Sequence, residues 1–276
     1  MSAYARPTRI EDALGLLARG ERTLLAGGTD FYPARVGRPL GEDILDLTAL
    51  RDLRGIRERA DHWRIGATTS WTDVIEAKLP PLFDCLKLAA REVGGLQIQN
   101  SGTVAGNICN ASPAADGVPA LLALDASVDI ASPGGTRTLP LDQFILGPRT
   151  TALRAGELLT GVLIPKPKYA ARSDFLKLGA RKYLVISIAM VAAVLEVPDR
   201  KVRAARIAVG SCSPVARRLP ALEQALIGRL LDRSLSECAI PEHLAPLSPV
   251  DDVRASAAYR NKAALTLIRR SLERLS

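Results

Sequence analysis

Histidine, cysteine and aromatic residues are scarce in this 276-residue chain, and each shortage narrows the chemistry open to it. The two histidines, His62 and His243, each read as a surface or satisfied core residue, and neither suggests a catalytic or metal-binding place. The four cysteines, Cys85, Cys109, Cys212 and Cys238, show no CxxC spacing, so local sequence builds neither a zinc site nor an iron–sulfur cluster. They read as reduced, structural thiols. Aromatics are 4% of the residues, leaving few rings to stack on bases, and the basic residues are scattered rather than gathered into a stripe. The net charge of +8 therefore reads as a solvated surface, or a face for acidic partner subunits, and no nucleic-acid partner is expected.

Long apolar runs are also missing. None approaches the roughly 20 residues that span a bilayer; the longest candidate, Tyr183 to Val197, is short and contains Glu196. The opening MSAYARPTRIED has no apolar signal core and turns acidic by residue 11, so the expected location is cytoplasmic. The chain has no GxGxxG fingerprint and no GxxxxGK[ST] loop, which disfavours a Rossmann dehydrogenase and a P-loop nucleotidase.

What the chain does have is length for two domains and a mixed order of elements. PTRIEDALGLLARG reads as a helix, with Thr8 as cap and Glu11 completing a capping box. TLLAGG reads as a short buried strand feeding a glycine turn. DILDLT and WRIGATTS have strand spacing, while WTDVIEA and PPLFDCLKLAAREVGG read as helices, the latter ending at Gly94-Gly95. GVPALLALDA reads as a helix, and SVDIAS, Gly134-Gly135 and TRTLPL as a hairpin. The proline- and charge-rich PKPKYAARSD marks the boundary, giving residues 1–168 (lobes about 1–55 and 56–168) and 169–276. Beyond it, SDFLKLGAR, VISIAMVAAVLEV and ARIAVGSC read as an antiparallel sheet. LPALEQALIGRLL and AYRNKAALTLIRRSLERL read as amphipathic helices covering one of its faces, and Ile240 to Val250, with three prolines, reads as a loop. The fold class is α+β.

Two glycine segments carry the functional signal. In NSGTVAGNICNASPAAD, from Asn100 to Asp116, small residues alternate with short polar ones and almost no bulk. Gly102 and Gly106 permit close approach, while Ser101, Thr103, Asn107, Asn110, Ser112 and Asp116 offer donors and acceptors. The turn Ala26-Gly27-Gly28-Thr29-Asp30 has the same character, and its successive amides suit phosphate oxygens because no side chain intervenes. Two such loops suggest a dinucleotide.

With LLAGGTDFYP, IGATTSWTDV, PALLALDASVDIASPGGTRTLPLDQF, ELLTGVLIP and FLKLGARKYLVISIAMVAAVLEV in order along nearly the whole chain, the sequence resembles the FAD-binding medium subunit of the molybdenum hydroxylases, the xanthine dehydrogenase and carbon monoxide dehydrogenase family. The resemblance implies a two-lobed, PCMH-type FAD-binding domain followed by the C-terminal domain of the CO dehydrogenase flavoprotein type. It implies that Ala26, Gly27, Gly28, Thr29, Asp30, Phe31, Thr68, Ser101, Gly102, Thr103, Gly106, Asn107, Ser112, Asp116, Leu159 and Lys177 line the cofactor, with Tyr183 packing near the ring. For Asp116, capping the helix near Val118 is the competing reading; for Leu159 it is a core leucine, and for Lys177 a solvated strand residue. Many relatives carry two glycines where this chain has Ala105-Gly106, and a basic residue at Ser101. Alanine at 105 requires negative φ there.

The function implied is an electron outlet: FAD takes electrons from iron–sulfur clusters on a small subunit, molybdopterin sits on a large one, and an external acceptor receives the electrons. A dimer of heterotrimers is the expected assembly. No catalytic dyad is visible, which agrees with such a role. The competing readings are a stand-alone FAD-dependent oxidase or reductase, which would need an acid or base that cannot be nominated, and a cofactor-free assembly subunit, which would have no reason to keep two bare glycine loops.

Overall fold

The computed structural model describes residues 3–37, 41–182 and 184–276; Tyr183 lies outside them. A small parallel sheet runs in the order Tyr4–Ala5, Ile44–Asp46, Thr23–Leu25. Helix Ile10–Ala18 joins its first two strands in sequence and buries Ala13 and Leu17, the period of an amphipathic face. The capping box expected from Thr8 and Glu11 does not form. Arg9 occupies the cap position without a side-chain bond, and Glu11 accepts from Arg9 Nε at 3.3 Å instead, so the local ion pair takes the carboxylate.

A five-stranded antiparallel sheet follows, ordered Ile56–Glu58, His62–Gly66, Leu158–Pro165, Ser127–Ser132, Gly135–Pro140. The last two strands are the expected hairpin, turned through Gly135 at φ +126°. Between the sheets lie helices Trp71–Glu76, Asp84–Glu92, Leu96–Ser101, Val104–Asn110 and Gly117–Ala123. Trp71–Glu76 opens with a full capping box in which Ser70 and Asp73 each accept from the other's backbone N–H.

A four-stranded antiparallel sheet, Ala171–Leu178, Ala189–Glu196, Ala204–Gly210, Arg217–Arg218, forms the C-terminal part. Every residue of Ala189–Glu196 is buried. Its unbroken apolar run is the pattern of a strand covered on both faces: Met190, Ala192 and Val194 join the core beneath the N-terminal helices, while Ala189, Val191, Ala193 and Leu195 join a second core with Leu222, Ala264, Ile268 and Leu272. The C-terminal helices thus cover one face of the sheet, as expected, and the N-terminal core covers the other. Two smaller departures concern length. Helix Pro220–Leu226 stops before Ile227, and the interval from Ile240 holds a 3-10 turn at Pro241–Leu244. Among the described residues no helix is long and apolar enough to cross a membrane.

Candidate functional site

The glycine turn at 26–31 leaves the buried end of Thr23–Leu25 and meets the Asn100–Asp116 segment face to face. That segment is not a loop, as its composition suggested. Most of it is helical, because Thr103 accepts from the Gly106 N–H at 3.0 Å and caps Val104–Asn110. Gly27 is where the two segments touch: a Cβ there would stand 2.0 Å from the Ser101 carbonyl oxygen and 2.8 Å from Gly102 Cα. Gly28 sits at φ +72°, with the Tyr32 ring where its side chain would go. The bareness of these positions therefore serves backbone packing as well as ligand approach. Gly102 and Gly117 are bare for other neighbours: a Cβ on Gly102 would stand 2.9 Å from the Ile98 carbonyl oxygen, and one on Gly117 would press on the buried Trp71 indole.

Between the segments lies a cleft of about 510 Å³, within the range of roughly 300–1,000 Å³ usual for small-molecule and cofactor sites. Ala26, Gly27, Gly28, Thr29, Asp30, Phe31, Gly102, Thr103, Gly106, Asn107 and Leu159 line it together. Its apolar wall includes Leu24, Leu47, Val93, Ile98 and Leu158, which the sequence did not single out. Leu158 and Leu159 both face it although they are consecutive in a strand. They open the strand, and a bulge follows between Leu159 and Gly161.

Two features of the lining ask for a polar ligand. Among the described residues, no protein acceptor meets the successive backbone N–H groups of Gly27, Gly28, Thr29, Asp30 and Phe31. Such a run of free amides is an anion-binding concavity. Asn107 Oδ1 is buried with no hydrogen-bond partner, a costly state that a ligand donor would relieve.

The remaining expected residues stand elsewhere. Ser101 is exposed, and only its carbonyl faces Gly27. Ser112 Oγ accepts from the Ala114 N–H at 3.3 Å, a local turn bond. Thr68 opens onto a separate groove with Arg51, Arg54 and Asp73. Asp116 holds the cap position of Gly117–Ala123 but makes no side-chain cap bond. Its carboxylate accepts from Lys177 Nζ at 3.0 Å and from Ser187 Oγ at 2.8 Å. Lys177, far from being solvated, has a side chain 5% exposed and also donates to the Glu92 carbonyl. Burial pushes the Asp116 carboxyl up, against the opposing pull of Lys177 and Ser187.

Arg35, Trp71 and Arg149 line the cleft without any signal in the sequence pattern. Arg35 is committed to Glu42 through Nε and Nη2 and lies 3.9 Å over the Phe31 ring. Ala105 is helical and 4% exposed, so the alanine fits its place without strain. The cysteines are free, and burial pushes the Cys85 and Cys109 thiols up to about 12. Among the described residues no three His, Cys, Asp or Glu side chains gather as a metal site.

This cleft, with free amides on one side and an apolar wall on the other, is built for a ligand that is both phosphorylated and partly apolar. Residues 1–167 match the family described as the FAD binding domain in molybdopterin dehydrogenase, and residues 174–275 match the CO dehydrogenase flavoprotein C-terminal domain. The chain is 32% identical over 278 residues to the nicotine 6-hydroxylase medium subunit of Paenarthrobacter nicotinovorans, covering 98% of this chain and 95% of the relative. It is 33% identical over 282 residues to the carbon monoxide dehydrogenase medium chain of Afipia carboxidovorans, with 98% and 95% covered. The solved structure of reconstituted CO dehydrogenase from Oligotropha carboxidovorans superposes at a TM-score of 0.88 with 30% identity, covering all of this chain and 97% of the other. The chain belongs to the FAD-binding medium subunits of the molybdenum hydroxylases, an oxidoreductase family, and its cofactor is FAD. The free amides, the orphaned Asn107 oxygen and the apolar wall fit that cofactor.

Proposed function

We propose that this chain is the electron-transfer subunit of a molybdenum hydroxylase, working beside an iron–sulfur small subunit and a molybdopterin large subunit in a dimer of heterotrimers. The observation that carries the reading is the row of free amides from Gly27 to Phe31 in one cleft with the orphaned Asn107 oxygen, and among the described residues lining it there is no histidine and no carboxylate other than Asp30. Bound FAD supplies a carrier that is filled one electron at a time from a partner's clusters and emptied to an external acceptor.

The chain's own residues hold and orient. The Gly27–Phe31 amides would neutralise the pyrophosphate, and the Thr103 and Asn107 side chains would supply hydrogen bonds from the facing helix, with Gly106, whose N–H is taken by Thr103, leaving room for close approach. Leu158 and Leu159 provide an apolar wall that excludes water. The buried Asp116–Lys177–Ser187 cluster ties the second glycine segment to the C-terminal sheet, and it stands outside the cleft lining, as do Thr68, Ser101 and Ser112. Residues 1–168 form the cofactor domain in this reading and 169–276 the supporting one.

The test is the visible absorption spectrum of the purified chain reconstituted with FAD, before and after acid release, followed by mixing with the reduced iron–sulfur subunit. Resolved flavin bands, released FAD and bleaching on mixing are expected. A folded chain that takes up no FAD even beside its partners would sink the reading in favour of an assembly subunit. FAD that is bound yet reduced directly by an organic substrate would favour a stand-alone enzyme.

A further inference from the structure

Arg149 stands at the tip of a two-stranded hairpin, Ile145–Gly147 with Thr150–Thr151, and its backbone is in the left-handed region at φ +58°. A residue with a Cβ adopts that conformation infrequently and at some cost, so it marks a place held by its surroundings. Here the Arg149 N–H donates to the Ala111 carbonyl at 2.8 Å, and Ala111 is itself left-handed at φ +45° where helix Val104–Asn110 ends. Two strained residues thus lock the hairpin tip to the end of the glycine-bearing helix. The consequence is that the Arg149 side chain lines the cleft.

One edge of its guanidinium is engaged and the other is not. Nη1 donates to both the carbonyl and the side-chain oxygen of Asn110, and stands 4.0 Å from Asp30 Oδ1. No acceptor among the described residues meets Nε or Nη2, the pair of donors that forms a fork for a carboxylate or phosphate. The other arginine of the cleft offers no such edge, because Glu42 takes the Arg35 fork and the Phe31 carbonyl takes its Nη1. No lysine lines the cleft among the described residues. The amides of the glycine turn carry partial charges, whereas a pyrophosphate is a full dianion.

We propose that Arg149 is a cofactor-binding residue that places its free Nε/Nη2 fork on the FAD pyrophosphate, supplying the one guanidinium fork of the cleft that no protein acceptor occupies among the described residues. The assignment rests on the FAD reading of the cleft. It gives the left-handed turn a purpose: the turn sets a side chain that is 58% exposed beside Asp30 of one glycine segment and Asn110 of the other.

The experiment titrates the full chain, stripped of flavin, with FAD at several salt concentrations and follows flavin fluorescence. R149Q is expected to raise the FAD dissociation constant about 10- to 100-fold, the range of a lost charge-assisted bond, and to flatten its dependence on salt. R149G guards against misfolding, since glycine accepts the left-handed φ; it is expected to keep the wild-type melting temperature and lose FAD to the same extent. Variants that bind FAD within about twofold of wild type, or that lose affinity with the wild-type salt dependence intact, would overturn the assignment. A wild-type chain that binds no FAD would overturn the reading beneath it as well, and that outcome is visible before any variant is made.

Discussion

Lys177 and Asp116, 61 residues apart in sequence, form an ion pair at 3.0 Å that ties the C-terminal sheet to the helix entering Gly117–Ala123. Both side chains are largely buried, so each depends on the other: removing one partner of a buried pair typically costs about 3–5 kcal/mol. K177M should destabilise the chain by about 3 kcal/mol or less, since Ser187 still donates to the carboxylate. The effect carries a pH signature. Burial already pushes the Asp116 carboxyl up, and without the ammonium nothing but Ser187 opposes it. A group whose folded pKa is raised favours the folded state at low pH and loses that contribution as pH rises through the folded value. Melting curves of K177M should therefore fall more steeply with rising pH than those of the wild type, and K177M/D116N should remove the slope. A K177M slope equal to the wild-type slope would show that the carboxylate finds other compensation.

G27A and G20A separate two uses of glycine. A Cβ at Gly27 would press on the Ser101 carbonyl, whereas one at Gly20 meets nothing within 4 Å. G27A must part the two segments, an overpacking expected to cost about 1–3 kcal/mol, and FAD affinity should fall with it. G20A should be neutral or stabilising by up to about 1 kcal/mol, through the unfolded chain. Denaturant titration and FAD binding on both variants check this; equal behaviour would refute the close approach.

Asn107 offers a cleaner test of ligand contact. Because its Oδ1 has no protein partner, N107A should leave the melting temperature of the flavin-free chain nearly unchanged while weakening FAD severalfold or more. A loss of stability without a loss of FAD affinity would mean that the asparagine serves the fold.

Glu42 gives the pH dependence of the first glycine segment. Arg35, and then Thr23, hold its carboxyl at about 2, below the usual range, and Arg35 in turn anchors the Phe31 carbonyl and ring. A depressed pKa contributes stability above the unfolded value, near 4.5, that is lost as pH falls toward 2. Retention of FAD measured against pH should therefore decline through that window, and E42Q should start weaker and decline less. Superimposable curves for the two would sink the anchoring role.

The sequence by itself determined the elements whose signals are local. The turn-feeding strand at Thr23–Leu25, the hairpin through Gly135, the strand at Ala189–Glu196 and the family itself follow from apolar period, turn chemistry and collinear motifs. Tertiary structure decided whatever depends on a distant partner. It made the Asn100–Asp116 segment helical, because helix formation there rests on one cap at Thr103 and on packing over Trp71, neither of which composition reports. It gave Gly27 its neighbour, paired Lys177 with Asp116 instead of solvent, and moved Thr68 to another groove. Arg149 had no pattern to announce it, since a single arginine in a turn looks like any solvated cation until a left-handed backbone, held from 38 residues away by Ala111, sets it at the rim of the cleft beside Asp30 and Asn110. Local sequence sets what each segment prefers, and contacts far along the chain set which side chains meet.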